Sequence, residues 1–249
     1  MVLGTVGVGI GLGIVVALAA FEWSSLCGRG ATGSFFFAAL MVVLGLVSLR
    51  LPLTDVMVVA LAWWLWAACE VFLFEGRPSY LWRKKSTRLF SGILVLVPAW
   101  RGCLALKAQD PGDPWFLVWL LVMVWTADSL AYFAGRAYGR HKLAPLVSPG
   151  KTWEGAVGGL LGAALVGALG AFGLGFRQGT VIEAIGLGVI VAIFSVIGDL
   201  LESKAKRLAG VKDSGRGLPG HGGILDRIDA LTAAVPIFVL GVRWLGVVR

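Results

Sequence analysis

Charge is scarce in this chain. Of its 249 residues, 14% are Asp, Glu, Lys or Arg, against roughly 25% in an ordinary soluble domain. Histidine occurs twice and cysteine three times. Cys27, Cys69 and Cys103 are scattered and lack metal-ligand spacing, which excludes a zinc ribbon and leaves them as small apolar filler. Acids are fewer than bases, 14 against 22, for a net charge of +8. No platform of basic and aromatic residues stands outside the apolar runs, so nucleic acid is not an expected partner; a basic excess of this kind points to cytoplasmic loops and anionic headgroups. Apolar surface is what the chain has in abundance. Hydrophobic residues make up 58% and the mean hydropathy is +0.86. A soluble fold of this size has no room to hide that much apolar surface. The expected fold is all-α, a polytopic transmembrane helix bundle.

Eight apolar runs are visible, near residues 1–21, 34–49, 53–74, 89–106, 115–133, 153–172, 180–201 and 228–248. The first has no basic leader and no small-x-small cleavage site, and reads as a span rather than a signal peptide. Glu70 lies near the end of the third run and reads as an interface residue. The sixth is dense in glycine and alanine, which favours close helix packing. Eight spans put both termini on one side. The four loops of the other side hold 16 of the 22 lysines and arginines, which assigns them to the cytoplasm. The segment 75–88 reads as a basic loop, and so does 136–151. The Ser148-Pro149-Gly150-Lys151-Thr152 stretch in the latter reads as a turn whose Lys151 and Thr152 suit a phosphate. It lacks the GxxxxGK[ST] spacing and a preceding strand, so it is not a P-loop.

The longest polar stretch, 203–229, reads SKAKRLAGVKDSGRGLPGHGGILDRID. Cations there suit phosphate oxygens, carboxylates suit a hard cation such as Mg²⁺, and glycines let backbone amides approach an anion. Asp226 and Asp229 are spaced i, i+3. On a helix they share a face one turn apart, and a shared Mg²⁺, alone or with a second cation, is the simplest way to hold both. Asp199, Glu202 and Ser203 also share one helix face leading into the basic cluster. Asp128 falls inside the fifth run, where a carboxylate normally serves a site or a partner. His221, with Gly222 and Gly223, precedes the last span; free N–H groups at that helix start favour an anion.

Read together, Ser203, Lys206, Arg207, Lys212, Asp213, Gly215, Leu218, Pro219, His221, Gly222, Gly223, Ile224, Asp226, Arg227, Ile228 and Asp229 resemble the signature of the phosphatidate cytidylyltransferase (CDP-diglyceride synthase) family. Two further blocks resemble it in the same order: Asp128, Ala131, Tyr132, Gly135 and Arg136, then Ser148, Pro149, Lys151, Thr152, Glu154 and Gly155. The resemblance covers 115–249, which suggests a division into N-terminal spans (1–114) and a catalytic region (115–249); the first three spans read as generic. It implies a Mg²⁺-dependent reaction of CTP with phosphatidic acid at the cytoplasmic face of a bacterial inner membrane, in a polar cavity open to the cytoplasm, with a homodimer as a plausible assembly. On that resemblance, Ser203, Lys206, Arg207, Lys212, Asp213, Asp226, Arg227 and Asp229 are expected to carry the reaction. Asp128, Tyr132, Ser148, Lys151, Thr152, His221, Gly222 and Gly223 would hold substrates, and Asp226, Asp229 and Asp199 the metal. A related enzyme acting on another lipid phosphate is the nearest alternative. A transporter is a more distant one, since the chain shows no internal repeat.

Overall fold

The structure is a computed structural model that describes residues 2–73, 78–108, 115–215 and 222–246, without the side chains of 2–6, 108 and 178. His221, Arg77 and Arg216 lie outside the described residues. The chain order is α1 (Val2–Leu26), α2 (Ala31–Ser48), α3 (Leu53–Leu73), α4 (Tyr80–Arg83), α5 (Lys85–Ala108), α6 (Trp115–Tyr138), β1 (Lys142–Ala144), β2 (Ser148–Thr152), α7 (Trp153–Gly173), α8 (Gln178–Leu208) and α9 (Leu225–Trp244). Among the described residues, seven helices are long and apolar enough to cross a bilayer: α1, α2, α3, α5, α6, α7 and α8. Phe35, Phe36, Leu169 and Phe172 stand exposed on them, as side chains facing lipid do. The chain is a multi-pass integral membrane protein.

The eighth apolar run forms α9, but that helix is of another kind. It packs against α1, α3, α5, α6 and α8, and Ala233, Ala234, Val235, Phe238, Val239 and Val242 are buried. Enclosed by protein, it tolerates Asp226, Arg227, Asp229 and Arg243 within 20 residues.

Three polar segments differ from expectation. The basic loop 75–88 contains α4 and the first turn of α5. Ser79 starts α4 by accepting a hydrogen bond from the Trp82 amide on its hydroxyl, an N-cap that hydropathy does not register. The second basic loop is partly a two-stranded antiparallel hairpin, in which Lys142 pairs with Thr152 and Ala144 with Ser148. Ser148–Thr152 is therefore a strand rather than a turn, and it leads straight into α7. Finally, α8 continues seven residues beyond the end of its apolar run at Leu201, so Ser203, Lys206 and Arg207 stand on a helix and not in a loop.

The glycines of α7 do what small residues do between membrane helices. A Cβ on Gly155 would meet the Ala131 carbonyl oxygen at 2.7 Å, and one on Gly159 that of Ala127 at 2.8 Å. Backbones of α6 and α7 thus touch directly.

Side-chain contacts gather the four basic segments at one end of the bundle. Trp23 at the end of α1 donates its indole N–H to the Arg88 carbonyl at 2.7 Å. Lys204 of α8 bonds Glu70 of α3, Lys151 of β2 bonds Asp199 of α8, and Ser214 bonds Glu22 of α1. The shared side expected of these segments is reproduced by packing alone.

Candidate functional site

The site is built where α8, α9 and the hairpin meet. Gly198 permits it. A Cβ there would lie 2.5 Å from the Asp229 carbonyl oxygen and 3.1 Å from the Ala233 Cβ, so α8 and α9 cross backbone against backbone. Gly198→Ala should push the helices apart and destabilise by ~1–3 kcal/mol, as overpacking does. An unchanged thermal unfolding midpoint in detergent would refute that contact.

The crossing brings Asp199 and Asp229 within electrostatic reach of each other, with Lys151 beside both. Lys151 Nζ lies 2.7 Å from Asp199 Oδ2, and Ser203 donates its hydroxyl to Asp199 Oδ1 at 3.2 Å. Asp128 on α6 interacts with the same Lys151 and Asp199. Asp229 Oδ1 accepts from the Ala230 amide at 2.7 Å. Three carboxylates on three helices thus face one ammonium carried by a hairpin.

One turn away, Lys206 bridges two acids. Its Nζ is 2.5 Å from Glu202 Oε2 and 2.7 Å from Asp226 Oδ1. The Glu202 side chain is 2% exposed, so Lys206 ties a buried acid of α8 to the start of α9. Asp226 is saturated with donors. Beyond Lys206, it accepts the Ser214 amide at 3.1 Å and the Gly223 amide at 2.7 Å, both on Oδ2. It folds the preceding loop back onto the start of α9. Gly222 takes φ +83°, and a Cβ there would strike Asp226 Oδ2 at 2.6 Å, so glycine is required on both counts.

The expected acidic pair is thereby divided. Asp226 bonds Lys206 and loop amides, whereas Asp229 accepts the Ala230 amide and lies within electrostatic reach of Asp199, Lys151 and Lys206. The donor chemistry of Asp199 and Asp229 fits a Mg²⁺ ion, which takes one or two carboxylates and completes its shell with phosphate and water. Asp226 fits less well, because its oxygens already serve N–H donors.

The other sequence candidates separate by position. Thr152 is buried, and its hydroxyl accepts the Gly155 amide at 3.1 Å as the N-cap of α7. Arg207 donates to the Val147 carbonyl at 3.3 Å, which pins the hairpin to α8. Tyr132 is exposed and accepts from Arg136 at 3.0 Å. Lys212, Asp213 and Arg227 are exposed, Ser148 is half-buried at the start of β2, and Gly223 is buried.

Two acids from the N-terminal half enter this region, and neither was expected to. Glu22 of α1 is 8% exposed and Glu70 of α3 is 2% exposed. Glu70 Oε1 accepts from Lys204 at 2.8 Å and from the Ser79 amide at 3.0 Å; Lys204 also donates to the Glu70 carbonyl at 2.5 Å. The first and third spans are therefore not generic. A lone acid at the end of an apolar run was the signal for each, and it reads equally well as an interface residue.

The profile of the cytidylyltransferase family matches residues 1–245. The chain belongs to that family. Curated relatives agree with this cytidylyltransferase assignment. A phosphatidate cytidylyltransferase of Pseudomonas aeruginosa is 43% identical over 230 residues, 91% of this chain and 84% of that protein. One from Haemophilus influenzae is 43% identical over 190 residues, 72% of this chain and 65% of that protein. One from Staphylococcus haemolyticus is 43% identical over 122 residues, 49% of this chain and 46% of that protein. Family membership therefore extends across the N-terminal spans that carry Glu22 and Glu70, and not only 115–249.

Proposed function

We propose that this cytidylyltransferase-family protein transfers the cytidylyl group of CTP to phosphatidic acid, giving CDP-diacylglycerol and pyrophosphate at the cytoplasmic face of a bacterial inner membrane. The observation that carries the reading is the meeting of Asp199, Asp229 and Lys151 from three separate elements. Such a cluster serves anionic substrates and a divalent cation, and the curated relatives are named for this reaction.

An oxygen of the lipid phosphate forms a bond to the α-phosphorus of CTP. The bond from that phosphorus to the bridging oxygen breaks, and pyrophosphate leaves with the electron pair. A phosphate monoester is already anionic at neutral pH, so no strong general base is required. The barrier lies in bringing two anions together and in stabilising charge on the leaving group. Asp199 and Asp229 would hold Mg²⁺, which would neutralise charge on the phosphates when bound. When substrate phosphates enter, Lys151 exchanges its Asp199 partner for phosphate oxygens. Ser203 keeps Asp199 oriented through its hydroxyl. Lys206 stays with Glu202 and Asp226, holding the loop that presents Lys212 and Asp213, while Lys212 and Arg227, both exposed, would turn to the triphosphate or the headgroup.

The test is pyrophosphate release by the purified protein with CTP and phosphatidic acid, with and without Mg²⁺. Release that requires all three components is expected. Hydrolysis of CTP without the lipid, or turnover undiminished by a chelator, would refute the reading.

A further inference from the structure

Glu22 occupies a place that the reaction scheme above does not use. It lies near the end of α1, yet the hydrogen-bond partners of its carboxylate among the described residues come from the far end of the sequence. Its Oε2 accepts the Ser214 hydroxyl at 2.9 Å and the Leu225 amide at 2.8 Å, and its Oε1 accepts the Ile224 amide at 3.1 Å. The last two are among the first amides of α9, which have no partner within the helix. A carboxylate there also lies at the positive end of the helix dipole. With Asp226 taking the Gly223 amide, three successive N–H groups at this helix start are held by protein carboxylates.

Two motif glycines are shaped around this acid. A Cβ on Gly215 would lie 2.5 Å from Glu22 Oε1, and a Cβ on Gly223 would overlap both Glu22 Oε2 and Ser214 Oγ. The close anion approach that the glycines permit is thus made by a side chain of the same molecule, 192 to 203 residues away in sequence. Glu22 is bound on one side by the loop that follows α8 and on the other by the start of α9, one turn before Asp229.

We propose that Glu22 is a positioning residue for the catalytic loop: it fixes Ser214 and the first turn of α9, and through them the placement of Asp226 and Asp229. The catalytic part of this inference rests on the function proposed above. The anchoring part does not. Gln in place of Glu puts an NH₂ group where one oxygen faced only donors, and Asp is one methylene too short to reach. Both should release the loop.

The experiment uses the full-length protein in detergent and measures two things in parallel: kinetics of pyrophosphate release, and hydrogen exchange at the amides of Ser214, Ile224 and Leu225. For Glu22→Gln, kcat is expected to fall about ten- to hundredfold, the scale set by loss of a charged hydrogen-bond acceptor. KM for CTP is expected to stay within about threefold, since the misplaced groups act in the transition state. Exchange should quicken at the three amides and not in the middle of α3 or α8. Turnover within about threefold of the parent would overturn the proposal, as would lost turnover with unchanged exchange at those amides. If Glu22→Gln loosens the whole bundle, Ser214→Ala decides, because it removes one hydroxyl and leaves Glu22 in place. A faster Ile224 and Leu225 exchange with reduced kcat supports the role, and parent-like behaviour on both counts overturns it. Should the parent protein itself release no pyrophosphate, the substrate reading fails alone, and the exchange of the Glu22 variant still decides the anchoring.

Discussion

Asp229→Asn is expected to lower turnover at least about a hundredfold, the scale on which one preorganised charge in a site matters, while leaving the fold as stable as before or more so. The two effects have one cause. Asp229 lies within electrostatic reach of Asp199 across the Gly198 crossing, and like charges so placed oppose folding in the absence of a cation. Asn keeps the size and the Oδ1 acceptor for the Ala230 amide but removes that repulsion together with a carboxylate proposed to hold Mg²⁺. Asp226→Asn should behave differently. Its oxygens accept from Lys206, Ser214 and Gly223 and also meet the Glu202 carboxyl, so Asn removes the charge that those N–H donors share, and stability should fall along with activity. Lys107→Ala, in the last turn of α5 at the far end of that helix from Lys85, serves as the control and should retain activity. Turnover assays and thermal unfolding of the three variants check this. An active Asp229→Asn protein would remove the metal assignment.

Lys204→Ala is expected to cost ~3–5 kcal/mol, the largest stability loss of any single change considered. The Lys204 and Glu70 side chains are 3% and 1% exposed. Removing the ammonium leaves a carboxylate buried against the Ser79 amide and little else to neutralise it. A Lys204→Met/Glu70→Gln double variant should recover much of that loss. Gln retains an acceptor for Ser79, Met refills the volume, and no charge stays buried. Thermal unfolding of the two single variants and the double variant forms the cycle. Purely additive losses would show that the pair is not the coupled unit its geometry describes. Because Lys204 lies between Ser203 and Lys206 on α8, the pair also sets the rotation of that helix, which places Ser203 beside Asp199 and Lys206 between Glu202 and Asp226.

The bundle was legible in the sequence because lipid imposes long apolar runs, and each of the seven spanning helices coincides with one. The ends of those helices were less legible. Hydropathy ends α8 near Leu201, but the helix continues to Leu208 because Glu202, Lys204 and Lys206 each find a partner and leave the backbone helical. The hairpin was missed for a related reason: Ser-Pro-Gly-Lys-Thr has the composition of a turn, and only its pairing with Lys142–Ala144 makes it a strand. The polar motif pointed to phosphate chemistry, and the structure gathers its Ser203 and Asp229 with Asp199 and with Lys151 of the 148–155 block. Spacing alone joined Asp226 to Asp229, since an i, i+3 rule sees only the helix that carries them. The donors that claim Asp226 come from Ser214 and Lys206, outside that helix. Glu22 and Glu70 were illegible as site residues because their partners are 192 and 134 residues distant. No local pattern encodes a contact of that reach.

The bond from Glu22 to Ser214 also has a meaning for biogenesis. The ribosome delivers the two residues 192 positions apart, which at roughly 5–20 residues per second is a delay of roughly 10–40 seconds. During that interval α1 is already in the bilayer with a carboxylate near its end and no partner for it. The nascent polypeptide therefore closes this anchor only when α9 docks, late in its insertion.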